Sequence, residues 1–246
     1  MSTSSALKRA AVRWLSSRPE LHNWVRRGYC RMGLGTRTEN DFLFALARKQ
    51  SDIFFLNIGA NDGVTNDPLY YFAKRYRWAG IALEPVPEVF EKLRATYQDN
   101  QKVLPVCAAL SDRDGTVAFY RVNPGPGVPE RCNRLGSFSR DVLLSSKHLF
   151  PEIEQHIIEQ QVATITFYTL VAQCGISRID VVSIDAEGYD YEILKQIDFR
   201  RFRPSLVIYE QLHLDEEMKA ESKRMLEDFG YEVHNSYDWN FVAVAK

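Results

Sequence analysis

The residues Ile53-Phe-Phe-Leu-Asn-Ile58, followed directly by Gly59-Ala-Asn-Asp-Gly63, decide the fold class of this chain. The first block is a short apolar run typical of a buried strand, and a helical stretch follows from about Asp67 to Tyr76. The glycines between them permit a tight turn and let the backbone approach a ligand closely. The order strand, glycine loop, helix predicts the first unit of an α/β sheet, with a ligand site at the loop.

Four further apolar runs extend this pattern along the chain, and helical patterns separate them. One helix is expected to begin at Pro87, and another is expected to be capped by Asp215. Strands buried on both faces lose their polar alternation, so such runs indicate a mostly parallel sheet covered by helices. The chain ends in two strand patterns around a turn, which predicts an antiparallel hairpin. The four runs are Gly80–Leu83, Val103–Cys107, Val181–Ile184 and Leu206–Tyr209.

The segment from about residue 121 to 161 interrupts this alternation. It follows a possible extra strand at Thr116 to Tyr120 and opens with Asn-Pro-Gly-Pro-Gly-Val-Pro. Long connections inside compact domains are usually functional. We therefore predict an insertion over the sheet that shapes an acceptor pocket, helical near Pro151 to Gln160. His148 and His156 would share one face of that helix in a structural role, because no carboxylate pattern completes a metal site.

The composition excludes several classes of protein. Of the 246 residues 45% are apolar, and 31 basic residues balance 32 acidic ones, for a net charge of −1. That balance argues against a disordered chain and against a nucleic-acid partner. No apolar run approaches the roughly 18 residues that span a bilayer. The four cysteines form no CxxC pair, so we expect neither a zinc knuckle nor a disulfide framework. This use of cysteine predicts a cytoplasmic location, where thiols stay reduced.

Residues 1–38 are predicted to be a basic helical arm preceding a single domain of residues 39–246. From Met1 to Arg37 there are eight basic residues and one acid, so this segment carries +7 and the rest of the chain −8. The arm is expected to pack on the body or on a partner subunit in a homodimer. Peripheral contact with a membrane surface and a targeting role are the alternatives, because basic amphipathic or transit segments share this composition.

Three of the predicted strands end in a carboxylate: Glu84, Asp185 and Glu210. Each alone could be a solvated residue at a strand end, but together they would converge at the carboxyl edge of the sheet, where α/β proteins bind ligands. Glu84 follows Gly63 by 21 residues, a position from which a carboxylate can accept both hydroxyl protons of an adenosine ribose. The loop is neither GxGxxG nor a P-loop, which disfavours a nicotinamide or flavin dinucleotide.

Four blocks of the chain together resemble the FkbM family of S-adenosyl-L-methionine-dependent methyltransferases. They are Asn57-Ile-Gly-Ala-Asn-Asp-Gly63, Leu83-Glu-Pro-Val-Pro87, Ala108-Ala-Leu-Ser-Asp-Arg-Asp-Gly115 and Ser183-Ile-Asp-Ala-Glu-Gly188. The resemblance implies the seven-stranded, Rossmann-like methyltransferase fold, with the terminal hairpin supplying the reversed strand. Two departures are visible: Asn57 replaces the family's usual Asp, and Val171 stands where the family has a carboxylate.

The same resemblance implies where the cofactor lies. The loop from Gly59 to Gly63 would hold its methionine end, Glu84 its ribose, and the segment Cys107 to Asp112 would border its adenine. The residues expected to bind the cofactor are Asn57, Gly59, Ala60, Asn61, Gly63, Glu84, Ala108, Ser111, Asp112 and Asp185.

Transfer of a methyl group to a hydroxyl needs the acceptor held in line and its proton removed by a base or a metal. The catalytic candidates are Asp185, Glu187, Glu210 and His213. Either Glu187 or His213 would be the base, with Asp185 near the sulfonium or a divalent ion. By analogy with sugar and catechol methyltransferases of this fold, Asp185 and Glu210 could bind Mg²⁺. Alternatively Glu187 is an acid at a helix N-terminus and His213 an ordinary surface residue.

The family includes methyltransferases for sugar hydroxyls, such as fucosyl groups of nodulation-factor lipochitooligosaccharides, and for macrolide hydroxyls. A small-molecule or oligosaccharide acceptor, above all a sugar or glycolipid, is therefore expected. One alternative is a non-catalytic scaffold that binds the cofactor or a nucleotide. The other is a dinucleotide-dependent oxidoreductase, which the absence of a GxGxxG motif disfavours.

Overall fold

The computed structural model of the chain describes residues 37–236 and 239–246. The predicted basic arm lies outside the described residues apart from its last two positions. In the described part, no helix has the combination of length and apolar character that crossing a bilayer would require.

Helices and strands alternate along the parts of the chain that form the main sheet. The first part of the chain contains α1 (Glu39–Lys49), β1 (Phe54–Ile58), α2 (Tyr70–Arg75), β2 (Ala79–Leu83), α3 (Pro87–Thr96), β3 (Val103–Val106), β4 (Ala109–Leu110) and β5 (Gly115–Val122). The middle contains a 3₁₀ turn (Glu130–Arg134), β6 (Gly136–Ser137), α4 (Arg140–Ser145), a second 3₁₀ turn (Ser146–His148), α5 (Ile153–His156) and β7 (Ile157–Ile165). The last part contains α6 (Phe167–Cys174), β8 (Val181–Ile184), α7 (Asp190–Gln196), β9 (Leu206–Glu210), α8 (Glu216–Asp228), β10 (Tyr231–Ser236) and β11 (Asn240–Ala245).

Seven strands form the main sheet in the order β10-β11-β9-β8-β1-β2-β3. Neighbours from β9 to β3 pair in parallel, whereas β11 runs antiparallel to both β9 and β10. The predicted α/β fold, with a mostly parallel sheet and a terminal hairpin that supplies the reversed strand, is confirmed. The strand order reverses between β1 and β8, the point at which Rossmann-like sheets open a ligand crevice.

The core lies on both faces of this sheet. Alternate residues of each central strand enter opposite hydrophobic clusters: Leu56 packs with Val182 on one face, whereas Phe55 packs with Val181 on the other. Every residue of β8 is buried. This two-sided burial explains why the strands read as continuous apolar runs in the sequence.

Local side-chain chemistry sets the helix boundaries. Pro87 is the first residue of α3, as predicted, and the Asp215 carboxylate accepts a hydrogen bond of 2.8 Å from the Met218 amide at the start of α8. Helix α2 begins at Tyr70 rather than near Asp67. The Asp67 carboxylate accepts from the Leu69 amide at 2.7 Å, and Pro68 disfavours a helical conformation in the residue before it, so residues 67–69 form a turn.

A second sheet, in the order β4-β7-β5-β6, includes both ends of the predicted insertion and the short strand β6 within it. The expectation of a helix near 151–160 is wrong beyond α5, because residues 157–160 belong to β7 and pair antiparallel with β5. Long-range pairing overrides the local helical pattern there. His148 lies in the second 3₁₀ turn and His156 in α5, so the two histidines do not share a helix.

Candidate active site

A cavity of about 960 Å³ opens at the carboxyl ends of β1, β2, β8 and β9, where the sequence predicted a ligand site. Its volume is near the upper end of the range of roughly 300–1,000 Å³ usual for small-molecule sites. Two groups of its lining residues come from different parts of the fold. The loop side is formed by Gly59, Asn61, Glu84 and Ala108–Leu110, and the insertion side by residues between Phe119 and Leu149.

The glycine loop is held against the end of β8. The Gly59 and Ala60 amides both donate to the Leu83 carbonyl, at 3.1 and 2.8 Å, and the Asp185 amide donates to the Ile58 carbonyl at 3.0 Å. Gly59 has φ +78°, and a Cβ atom there would lie 1.8 Å from the Asp185 carbonyl oxygen. Glycine is therefore required at position 59 for two separate reasons, backbone conformation and close packing.

Glu84 is 5% exposed, and its carboxylate is fixed by two backbone amides. The Asn61 amide donates to Oε2 at 3.1 Å, and the Val86 amide donates to Oε1 at 2.9 Å. A carboxylate has about four lone-pair sites, so each oxygen retains capacity for another donor from the cavity. Burial raises the pKa of Glu84 to about 7 despite these hydrogen bonds.

Three side chains at the ends of β8 and β9 form what we call the Glu–His cluster: Glu187, Glu210 and His213. His213 Nε2 lies 3.0 Å from Glu187 Oε2, and both side chains are less than one-fifth exposed. One potential ligand atom from each of the three residues lies within 4.8 Å of the others. Within the described residues Glu210 Oε2 is buried without a hydrogen-bond partner, and burial together with the charges of Asp185 and Glu187 raises the Glu210 pKa to about 11.

Asp185 lies beside this cluster and is open to the cavity. Loss of hydration to the surrounding protein raises the pKa of Asp185 well above its usual range, and the charges of neighbouring carboxylates, Glu187 foremost, raise it further. The turn after Asp185 is supported by Asp190, which is fully buried and accepts hydrogen bonds from the Ala186, Gly188 and Glu210 amides at 3.2–3.3 Å. Asp190 thereby joins the ends of β8 and β9.

The turn at Glu187 is also tied to the second sheet. Glu187 has φ +47°, and its carbonyl accepts a hydrogen bond of 2.8 Å from Ser137 Oγ in β6. Phe138 packs edge-on against Tyr189 with ring centroids 4.9 Å apart. These contacts bring the insertion side against the Glu–His cluster.

The residues predicted to bind the cofactor divide into two groups. Gly59, Asn61, Glu84, Ala108 and Asp185 line the cavity, as do the other catalytic candidates Glu187, Glu210 and His213. The cavity lining does not include Asn57, Ala60, Gly63, Ser111 or Asp112.

Two of the residues outside the lining contact residues that position the site. Asn57 donates its side-chain amide to Asp67 at 3.0 Å, and Asp67 itself lines the cavity. Gly63 packs against Leu93 and Tyr97 next to α3, so this glycine brings the loop close to that helix. Direct contact of either residue with the cofactor stays a prediction.

Several residues of the site carry no clear signal in the sequence. The local pattern assigns Asp67 to the start of a helix, whereas this side chain lines the cavity and burial raises its pKa to about 6. Asp190 is missing from the predicted site, although an acid two residues after Gly188 is a recognisable helix-start signal. Arg131, Arg134 and Trp239 come from segments whose position only the folded chain reveals.

The comparison with known protein families shows to which family this chain belongs. The family model of the methyltransferase FkbM domain matches residues 57–233, well over half of the chain. The chain belongs to the FkbM methyltransferase family. Methyltransferase sdnD from Sordaria araneosa is 24% identical over 209 residues, which span 78% of this chain and 79% of that protein.

Solved methyltransferase structures are similar to this FkbM protein at low sequence identity. One is an FkbM methyltransferase from Methylobacillus flagellatus KT, with a TM-score of 0.46 and 11% identity over 79% of this chain and 44% of that one. Another is a precorrin-6y C5,15-methyltransferase from Geobacter metallireducens GS-15, with a TM-score of 0.43 and 14% identity over 86% of this chain and 94% of that one.

As an FkbM protein, the chain is an S-adenosylmethionine-dependent methyltransferase, and its cavity fits that cofactor. Gly59 lines the cavity together with Glu84, and the Glu84 carboxylate offers buried acceptor capacity for two hydroxyl groups. The cavity is also large enough for the cofactor and an acceptor to lie side by side.

Proposed function

We propose that this FkbM methyltransferase transfers a methyl group from S-adenosylmethionine to a hydroxyl of a sugar, a glycolipid or a related hydroxylated small molecule. The observation that carries the proposal is the Glu187–His213 pair, 3.0 Å apart, in the same cavity as the glycine loop and Glu84. A base is needed for a hydroxyl acceptor because the oxygen must lose its proton as it gains the methyl group.

The cofactor, when bound, supplies a methyl group on a sulfonium. In the proposed step the sulfur–methyl bond breaks, the oxygen–methyl bond forms, and S-adenosylhomocysteine leaves with the electron pair of the broken bond. If His213 Nε2–H donates to Glu187, the Nδ1 atom is the basic nitrogen that takes the acceptor proton. Glu187 then stabilises the imidazolium that forms, and Glu84 and the Gly59 loop hold the ribose and the methionine end.

The mouth of the cavity suits a ring with an apolar face. Trp239 is 65% exposed and Leu212 55% exposed, and both line the cavity. An exposed indole presents a flat apolar surface with a polar edge, a combination that packs well against a hydroxylated ring. This favours a sugar acceptor, including the fucosyl group of a lipochitooligosaccharide, and Trp239→Ala is expected to raise KM for the acceptor with little change in kcat.

A second candidate mechanism uses the same Glu–His cluster to bind Mg²⁺ or another divalent ion. One histidine nitrogen and two carboxylates within 4.8 Å of one another are a suitable donor set, and the buried, unpartnered Glu210 Oε2 favours a cation nearby. A bound ion would lower the pKa of the acceptor hydroxyl and so replace the base. Calorimetric titration of the protein with Mg²⁺ and Mn²⁺, before and after chelation, separates the two mechanisms without measuring turnover.

The central experiment measures cofactor binding and turnover separately. Glu187→Gln and His213→Ala are expected to bind S-adenosylhomocysteine as well as the parent protein while kcat on a panel of hydroxylated glycans falls by about 10²–10⁴. Glu232 and His234 form a matched control, since they are a similar pair at 3.5 Å outside the cavity. Glu232→Gln and His234→Ala should leave both quantities unchanged.

Other results would contradict the proposal. Full turnover in Glu187→Gln and His213→Ala would refute the assigned base. Binding of S-adenosylhomocysteine without turnover on any hydroxylated compound would favour the scaffold alternative, and binding of a nicotinamide dinucleotide instead would favour the oxidoreductase.

The remaining expectations stay predictions. We propose a cytoplasmic enzyme without a nucleic-acid partner, whose basic arm packs in a homodimer or contacts a membrane surface near a glycolipid acceptor.

A further inference from the structure

The charges around the cavity are segregated. Its carboxylates come from the start of α1, the glycine loop region and the ends of the main-sheet strands, whereas its arginines all come from the insertion side. The carboxylates are Glu39, Asp67, Glu84, Asp185, Glu187 and Glu210, and the arginines are Arg121, Arg131 and Arg134.

Two of the arginines have donors to spare. Arg121 is engaged by Gln160 at 2.7 Å and by Glu88 at 3.4 Å. The Arg131 side chain is exposed and donates once, to the Leu149 carbonyl at 2.9 Å, and the half-buried Arg134 side chain makes no hydrogen bond or salt bridge within the described residues. Since a guanidinium has five N–H donors, most of this capacity is left unused.

The local fold aims both side chains the same way. Arg131 and Arg134 lie three residues apart in the 3₁₀ turn Glu130–Arg134. A 3₁₀ turn has 3.0 residues per turn, so side chains at i and i+3 eclipse one another. Two guanidinium groups that line one cavity form a suitable site for a phosphate or carboxylate, which arginine binds in bidentate fashion.

The carboxylate of Asp62 lies near Arg134 but forms no salt bridge with it. The pKa of Asp62 lies below its usual value. Burial alone would raise this pKa, but the hydrogen bonds from Thr65 and Val64, together with the charge of Arg134, outweigh the effect of burial. The Asp62 oxygens are thus used within their own turn, where they accept from the Val64 and Thr65 amides and the Thr65 hydroxyl. Arg134 lies in the field of Asp62 without a hydrogen bond to it.

From this arrangement we propose that the methyl acceptor carries an anionic substituent, a phosphate or a carboxylate, that is bound by Arg131 and Arg134. This inference rests on the proposed function, because it assumes that the hydroxyl to be methylated lies at the Glu–His cluster. The acceptor hydroxyl would then lie beside Glu187 and His213, and its anionic group beside Arg131 and Arg134. The methionine carboxylate of the cofactor is the competing anion, and the experiment below separates the two by filling the cofactor site first.

The test uses the full-length protein saturated with S-adenosylhomocysteine, so that the cofactor's own carboxylate is already in place. Inorganic phosphate and, separately, acetate are titrated into it by calorimetry at constant ionic strength. Binding of at least one anion is expected, with affinity reduced about tenfold or more in Arg131→Gln and in Arg134→Gln. Affinity for S-adenosylhomocysteine should stay within about twofold of the parent value. Arg200→Gln is the matched control, because Arg200 is exposed and lies outside the cavity lining.

Three outcomes would overturn the inference: no binding of either anion by the loaded protein, unchanged anion affinity in both arginine variants, or a large loss of S-adenosylhomocysteine affinity in those variants. The third would assign the arginines to the cofactor carboxylate. Failure of the proposed function is distinguishable, because turnover on a neutral glycan without anion binding contradicts this inference alone. Anion binding lost in the arginine variants, without turnover on any acceptor, supports the site and contradicts the proposed function.

Discussion

The loop side of the cavity and its insertion side are built in different ways. On the loop side, each ligand-facing group follows a buried strand and is fixed by backbone hydrogen bonds of neighbouring strands, as with Gly59 and Glu84. On the insertion side, the facing groups come from 3₁₀ turns, β5 and β6, which are positioned by pairing between β5 and β7 and by the contact of Ser137 with Glu187. Both sides depend on contacts between distant parts of the chain, but the facing groups of the loop side directly follow the strands of the main sheet, whereas those of the insertion side lie in connecting segments and in the second sheet.

This difference fits two separate roles, with the cofactor bound on the loop side and the acceptor on the insertion side. A common cofactor requires the same rigid geometry in every turnover, which strand-end backbone supplies. An acceptor pocket varies more freely when it is built on connecting segments that the sheet does not constrain. We therefore expect substitutions on the loop side to affect folding and cofactor affinity, and those on the insertion side to affect turnover and acceptor affinity.

The largest effect is expected from Gly59→Ala on the loop side. Its new Cβ would lie 1.8 Å from the Asp185 carbonyl oxygen at a residue with φ +78°, so β1 and β8 would have to separate. We expect a loss of about 3 kcal/mol or more in the free energy of unfolding, measured by urea denaturation. Gly125→Ala is the control, because nothing lies within 4 Å of a Cβ there. Equal stability of the two variants would contradict the geometry described for the loop.

The next largest effect is expected from Glu84→Gln, which should weaken S-adenosylhomocysteine binding by about 10–100-fold through loss of charge-assisted hydrogen bonds to the ribose. Since burial raises the Glu84 pKa to about 7, the carboxylate is ionised above that pH and protonated below it. Affinity of the parent protein should therefore fall as pH drops from 8 to 6, and the variant should lose the part of this dependence that comes from Glu84, leaving that of Asp67. Calorimetry at several pH values measures both.

Glu91→Gln serves as the control for this substitution, because Glu91 is 57% exposed on α3 and pairs with Arg94 instead of facing the cavity. A parent protein whose affinity does not change with pH between 6 and 8 would exclude Glu84 as the ionised ribose acceptor.

The smallest effect is expected from Ser137→Ala, which tests the tie between the two sides. Removing the hydrogen bond of 2.8 Å to the Glu187 carbonyl should cost about 1 kcal/mol of stability and lower kcat several-fold, with cofactor affinity unchanged. Ser145→Ala removes a bond to Val142 that stays within the insertion, so its kcat should match that of the parent. A drop in cofactor affinity in Ser137→Ala would mean that the two sides are not separable.

Local patterns in the chain are sufficient to predict the sheet and the loop side of the site. Buried parallel strands must be continuous apolar runs, and a chain leaving such a strand toward a ligand needs glycine, so β1, Gly59 and Glu84 could be recognised from local patterns. The same reasoning found Asp185 and Glu210, because strand ends on one edge converge wherever the strands are parallel.

The contacts between particular side chains become visible only in the folded chain. The 3.0 Å contact between Glu187 and His213 depends on the turn that Asp190 braces between β8 and β9. Residues 157–160 show a helical pattern but pair with β5, and that pairing brings the insertion with Arg131 and Arg134 over the cavity. Local patterns contain no information about such contacts, because their free energy comes from partners tens of residues away in the chain.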